Sequence, residues 1–141
     1  MEGKVKLTIT GIQSGFGQKD RSEICTMADC YEKNGTCYLF YSEYTEEGLV
    51  LKNRLTIAPD FVELRKTGNG TSVLTFKKGE RNSCTYQSPV GPMIMESETG
   101  KIRFRSGEKE LRLDLEYTLY MGGAPVSDYS LRVSARKTEE A

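Results

Sequence analysis

The chain has 141 residues, with 20 basic and 20 acidic side chains that cancel at neutral pH. That length suits one domain with a core of its own, and the balanced charge offers no broad attraction for nucleic acid or anionic lipid. Histidine is absent, which removes the Ser-His-Asp and Cys-His nucleophile systems and every zinc site that needs an imidazole.

No apolar run is long enough to cross a membrane as a helix. The opening residues, Met1 to Leu7, alternate like a strand and lack the apolar stretch of a signal peptide. A cytoplasmic location is expected, with no membrane and no nucleic acid among the partners.

Val5, Leu7 and Ile9 open a first strand. Gly11, Gly15 and Gly17 then predict a glycine-rich loop. Strands over 22–33 and 36–45 flank Asn34-Gly35, the strongest short hairpin signal. With a two-residue turn there, one face carries Ile24, Thr26, Ala28, Cys30, Cys37, Leu39, Tyr41 and Glu43. The other carries Cys25, Met27, Asp29, Tyr31, Tyr38, Phe40, Ser42 and Tyr44. Neither face is plainly polar, so either a bulge exchanges the faces or both are covered, by a neighbouring segment or a partner chain.

Leu49, Leu51, Leu55 and Ile57 mark the next strand, which stops before Pro59-Asp60. Phe61 to Lys66 runs into the turn Thr67-Gly68-Asn69-Gly70, and Val73 to Lys77 returns to Gly79-Glu80. A strand near 81–88 ends at Pro89, and 92–98 and 101–105 read as strand with a break at Gly100. The cleanest signal comes last. Leu111, Leu113, Leu115, Tyr117, Leu119 and Met121 alternate with Arg112, Asp114, Glu116, Thr118 and Tyr120, a period of two that a helix would scatter. Gly122-Gly123 turns the chain into Tyr129, Leu131, Val133 and Ala135, which alternate with Ser130, Arg132, Ser134 and Arg136.

Hairpins throughout, with no long crossover and no sustained helical period, predict an all-β fold. The expected form is an antiparallel, mostly up-and-down barrel of about eight to ten strands. Residues 1–141 form one domain in this reading, with an ordered core over about 4–136.

The four cysteines sit at spacings that fit no metal signature and include no Cys-x-x-Cys pair. No metal or other cofactor is expected. Reduced thiols acting as four buried small hydrophobes are the expectation. Cys30 and Cys37 fall diagonally across the hairpin, too far apart for an easy bridge.

The segment Tyr86-Gln-Ser-Pro-Val-Gly91-Pro-Met93-Ile-Met95-Glu-Ser-Glu-Thr99 resembles the central motif of the YwiB-like family of small uncharacterised bacterial proteins. Tyr41-Ser-Glu43 with Gly48, Arg65-Lys-Thr-Gly68, Phe76-Lys-Lys-Gly79 and Leu115-Glu-Tyr117-Thr-Leu119 leading to Ser127 follow the family's order, from about residue 4 to 136. One departure is Ser88 where threonine is expected. The resemblance implies a calycin, or lipocalin-like, barrel in a bacterial cytoplasm, and it implies no mechanism.

Candidate site residues follow from the barrel reading. Tyrosines suit amphipathic ligands, because each joins an apolar ring to a hydroxyl. Tyr41, Glu43, Arg65, Tyr86 and Tyr117 are the candidates for a ligand site, with Arg65 the expected partner of an inward Glu43. The leading expectation is a non-enzymatic barrel holding a small, largely apolar or amphipathic molecule. A structural or protein-interaction module, self-associating through the 22–45 hairpin, is the second. An enzyme using Glu43, Arg65 and Tyr86 is the third.

Overall fold

The computed structural model describes residues 1–15, 17–68, 70–88 and 91–138, except for the side chains of 86–88. Its strands are β1 (Gly3–Gly15), β2 (Gln18–Lys33), β3 (Thr36–Tyr44), β4 (Val50–Ala58) and β5 (Phe61–Thr67) in the first half. The second half adds β6 (Thr71–Lys77), β7 (Arg81–Ser88), β8 (Gly91–Ser106), β9 (Glu110–Met121) and β10 (Ala124–Lys137). Every paired neighbour is antiparallel, and the strand order is β6-β5-β4-β3-β2-β1-β10-β9-β8-β7. Each strand therefore lies beside its neighbours in sequence, and β1 joins β10 through a ladder from Val5↔Lys137 to Ser14↔Asp128. The result is a nearly closed up-and-down barrel.

The seam lies between β6 and β7. No ladder crosses it among the described residues, although Ser97 Oγ on β8 donates to the Thr75 carbonyl on β6 at 3.2 Å. The turn at Gly79-Glu80 is tied to Thr99 by two backbone hydrogen bonds. No helix among the described residues is long and apolar enough to cross a membrane.

Alternation decides what fills the barrel. Leu111, Leu113 and Leu115 on β9 are buried with Val133 and Ala135 on β10, Val5 and Leu7 on β1, Leu39 on β3, and Leu55 and Ile57 on β4. Each of these valine, leucine and isoleucine side chains contributes about 1.5–3 kcal/mol when removed from water. The intervening residues of β9 face outward, where Asp114 meets Arg132 at 3.0 Å and Glu116 meets Lys101 at 3.3 Å.

Asn34 (φ 52°) and Gly35 (φ 79°) both take positive φ, the requirement of a tight type I′ turn. They set Lys33 opposite Thr36, Tyr31 opposite Tyr38 and Cys30 opposite Leu39. No bulge exchanges the faces of this hairpin. Ala28, Cys30, Cys37, Leu39 and Tyr41 point inward and are buried, while Met27, Tyr31, Phe40 and Tyr44 remain exposed on the outside. Cys25 lies on that outer face and is exposed, so three of the four cysteines are buried rather than all four.

Two further expectations change. The predicted glycine loop is strand through Gly11 and Gly15, both of which pair with β2. A Cβ on Gly15 would sit 2.7 Å from the Val126 carbonyl, because β10 changes register between Pro125 and Ser127 and crowds β1 there. Glycine here serves a close approach of backbones rather than a turn. The break at Gly100 is a register shift between Thr99 and Lys101 inside a continuous β8.

Candidate functional site

The turns at Asn34-Gly35 and Pro59-Asp60 share one end of the barrel, and the turns at 45–49, 68–70 and 122–123 share the other. Inward residues near the second end are larger, more aromatic and more polar. Here a cavity of about 310 Å³ is walled by Leu64, Leu74, Met95, Leu119, Tyr117 and Tyr129, with Cys84, Lys66 and Ser72 at its margin. Val73 and Thr85, on the facing edges of β6 and β7, also line it, so it opens where the ladder is missing. A second hollow of about 430 Å³ under the 45–49 loop shares Lys66 and Ser72 with it. The cleft of about 800 Å³ at the far end is formed around Glu2, Glu108, Lys109, Glu110 and Arg136. It is the larger space, but its walls are mainly charged side chains, unlike the predominantly apolar lining usual for small-molecule sites.

Strand register brings the polar groups together. The two-residue Pro59-Asp60 turn sets Ala58 opposite Phe61, which places Lys66 opposite Asn53. Asn53 in turn lies opposite Tyr41 on β3. Lys66 Nζ reaches Glu43 Oε1 at 3.2 Å, and Asn53 Nδ2 donates to the same oxygen at 2.9 Å. Asn53 is buried, yet its Oδ1 has no hydrogen-bond partner among the described residues. A buried acceptor left unpaired costs about 1–3 kcal/mol. The Glu43–Lys66 pair is only partly buried and contributes about 0–1 kcal/mol.

Aromatic packing forms the floor. Tyr117 lies 5.0 Å from Tyr129, with ring planes 7° apart, and 4.5 Å from Phe76. Burial pushes the Tyr117 phenol above its usual range, and Tyr129 adds to the effect. Tyr41 is raised likewise, by burial first and by the Glu43 charge second. Both phenols stay protonated at neutral pH and are not poised as bases. The buried thiols are also held neutral. Burial raises Cys30 and Cys84, and burial followed by the Glu32 charge pushes Cys37 up to about 11. Neutral thiols are poor nucleophiles and poor metal ligands. No cluster of metal-binding side chains occurs among the described residues.

The structure places the candidates as follows. Tyr41 and Glu43 are inward neighbours on β3, and Tyr117 lines the cavity. Tyr86 lies on β7 opposite Met93, but its side chain falls outside the described residues, as do Pro89 and Val90. Arg65 is exposed on the outer face, opposite Arg54 and Val73. It is therefore not the partner of Glu43, because residues 65 and 66 point to opposite sides of the sheet and Lys66 takes the inward place. Lys66, Asn53, Leu74 and Tyr129 complete the site without having been singled out from the sequence. The Pro59-Asp60 turn was the available signal, since counting back from it aligns Lys66 with Asn53.

Over residues 7–133 the chain matches the model of a family described as Domain of unknown function (DUF1934). No curated protein matches it. Among solved structures, the crystal structure of the ywiB protein from Bacillus subtilis superposes with a TM-score of 0.87 and 18% sequence identity. The match covers 98% of this chain and 94% of that one. At such identity the likeness shows a shared barrel fold.

Proposed function

We propose, for a chain that belongs to the DUF1934 family, a non-enzymatic role: its open barrel end holds one small amphipathic molecule. The observation that carries this reading is the cavity of about 310 Å³ walled by Tyr117, Tyr129, Leu74 and Met95, with Lys66 at its rim. Its size falls at the lower end of small-molecule pockets, which run to about 300–1,000 Å³, and its apolar wall with few polar groups is their usual make-up. The ligand's apolar body lies on the Tyr117–Tyr129 stack, its polar end meets Lys66 and Ser72, and it enters between β6 and β7. The setting we propose is a bacterial cytoplasm. Four free cysteines and the bacterial source of the similar crystal structure support it. The ten-strand meander supports kinship with lipocalin-like calycin barrels.

The test uses freshly purified full-length protein. Native mass spectrometry should find a bound small molecule, and titration with the amphipathic dye anilinonaphthalene sulfonate should saturate at one site. Leu74→Trp fills the cavity and should abolish dye binding while the circular dichroism spectrum stays the same. A chain that carries no ligand and binds no dye, or a Leu74→Trp variant that binds like the wild type, overturns the reading.

A further inference from the structure

β2 is far longer than the partner on its outer edge. β1 pairs with it from Gly3↔Cys30 to Gly15↔Gln18, but β3 pairs only from Asp29↔Phe40 to Lys33↔Thr36. Residues 18–28 thus present one edge to no strand among the described residues. From Gln18 to Glu23 both faces are exposed as well, while β1 beside it stays paired with β10 as far as Ser14. A long free edge invites another strand.

The chemistry of that edge singles out its occupant. A two-residue turn closes on a hydrogen-bonded pair, here Lys33 with Thr36. Backbone groups on an antiparallel strand alternate between its two neighbours. Lys33, Tyr31 and Asp29 therefore address β3, and Met27, Cys25, Glu23, Arg21 and Lys19 address the open edge. We propose that a second copy of this chain adds its β2 there, antiparallel, about a two-fold axis at Ser22. This register alone does two things together. It pairs the outward backbone groups of Arg21 with those of Glu23 of the second copy, and of Lys19 with those of Cys25. It also sets Arg21 and Glu23 side by side across the axis twice, opposite in charge each time. Within one chain the same two side chains already approach to 3.7 Å on the exposed face. An isologous contact of this kind is the usual route to a closed dimer. Two barrels then share one continuous sheet, and each leaves its seam and cavity free.

Sedimentation velocity on the full chain should show a monomer–dimer equilibrium. Arg21→Glu and Glu23→Arg each place like charges across the axis and should weaken the dimer by about tenfold, while the double swap restores it. In a Cys25→Ser background, Ser22→Cys should oxidise to a covalent dimer, because facing positions at a two-fold axis lie within disulfide reach. All altered residues are exposed on the edge strand, so circular dichroism should be unchanged. A monomer at every concentration overturns the proposal. So does a dimer indifferent to both reversals, or one lost on Tyr31→Ser alone, which would place the contact on the outer aromatic face.

Discussion

At the end of the barrel near Asn34-Gly35, inward positions are held by Leu39, Leu55, Ile57, Val62 and Leu113, each 2% exposed or less. At the other end the same alternation delivers Tyr117, Tyr129, Leu74, Lys66 and Glu43, and a cavity remains. Strands such as β9 run from one end to the other, and β8 does so with a single register shift between Thr99 and Lys101. Alternation settles which way a side chain points, and the sizes and shapes meeting at each level settle whether the space is filled. The aliphatic end carries the stability. The tyrosine end is the one we propose receives a ligand.

The largest test of that division is Leu113→Ala. It should cost about 3 kcal/mol by chemical denaturation, the usual loss for a fully buried leucine. A loss below about 1 kcal/mol would move the stabilising region elsewhere. Alkaline pH comes next. Cys37 at the aliphatic end and Tyr41 and Tyr117 at the other all hold their protons more tightly when folded. Stability from Cys37 is complete below its ordinary value of 9.0 and is lost as pH rises towards about 11. The tyrosines extend the loss above 10.0. The denaturant midpoint should fall across that window, and Tyr117→Phe should remove part of the fall. A flat profile refutes the assignment.

Smaller effects sharpen the contrast. Tyr117→Leu keeps an apolar filling but ends the stack on Tyr129, and should cost about 1 kcal/mol of unfolding free energy by chemical denaturation. Equal losses for Tyr117→Leu and Leu113→Ala would erase the distinction between the ends. Glu43→Gln removes a partly exposed ion pair and should change stability by less than about 1 kcal/mol. If the ligand is an anion, the same change frees Lys66 and tightens its binding, readable by calorimetry. Smallest of all, Cys25→Ser should leave stability untouched, while rapid thiol labelling of the folded protein drops to nothing. Rapid labelling that persists would mean the buried thiols are reached through the barrel wall.

Much of this was visible in the residues. The alternation of Leu111 to Met121 announced its strand and face, and the Asn34-Gly35 turn announced its hairpin, because period and turn geometry are local. Which face of that hairpin lies inward was left open, since neither is plainly polar. Gly11 and Gly15 misled, since a glycine required by a neighbouring backbone looks like one required by a turn. That neighbour, Val126, is more than a hundred residues away in the chain. The site was only partly legible. Tyr41, Glu43 and Tyr117 stood out by residue type, but Lys66 over Arg65 is a matter of parity, and a one-residue shift reverses every side chain. The cavity was not readable at all, because it is a remainder of volumes contributed by several strands.

The ladder joining β1 to β10 has a consequence for how the molecule comes to be made. On a ribosome β1 emerges first, yet one whole flank of it must wait until β10 has been synthesised. Closure therefore links the most distant parts of the polypeptide, an entropically demanding step that slows the search. A circular permutant opened at Gly79, with the start of β1 tethered to the end of β10, would turn that remote union into a local hairpin and should fold faster into the same barrel.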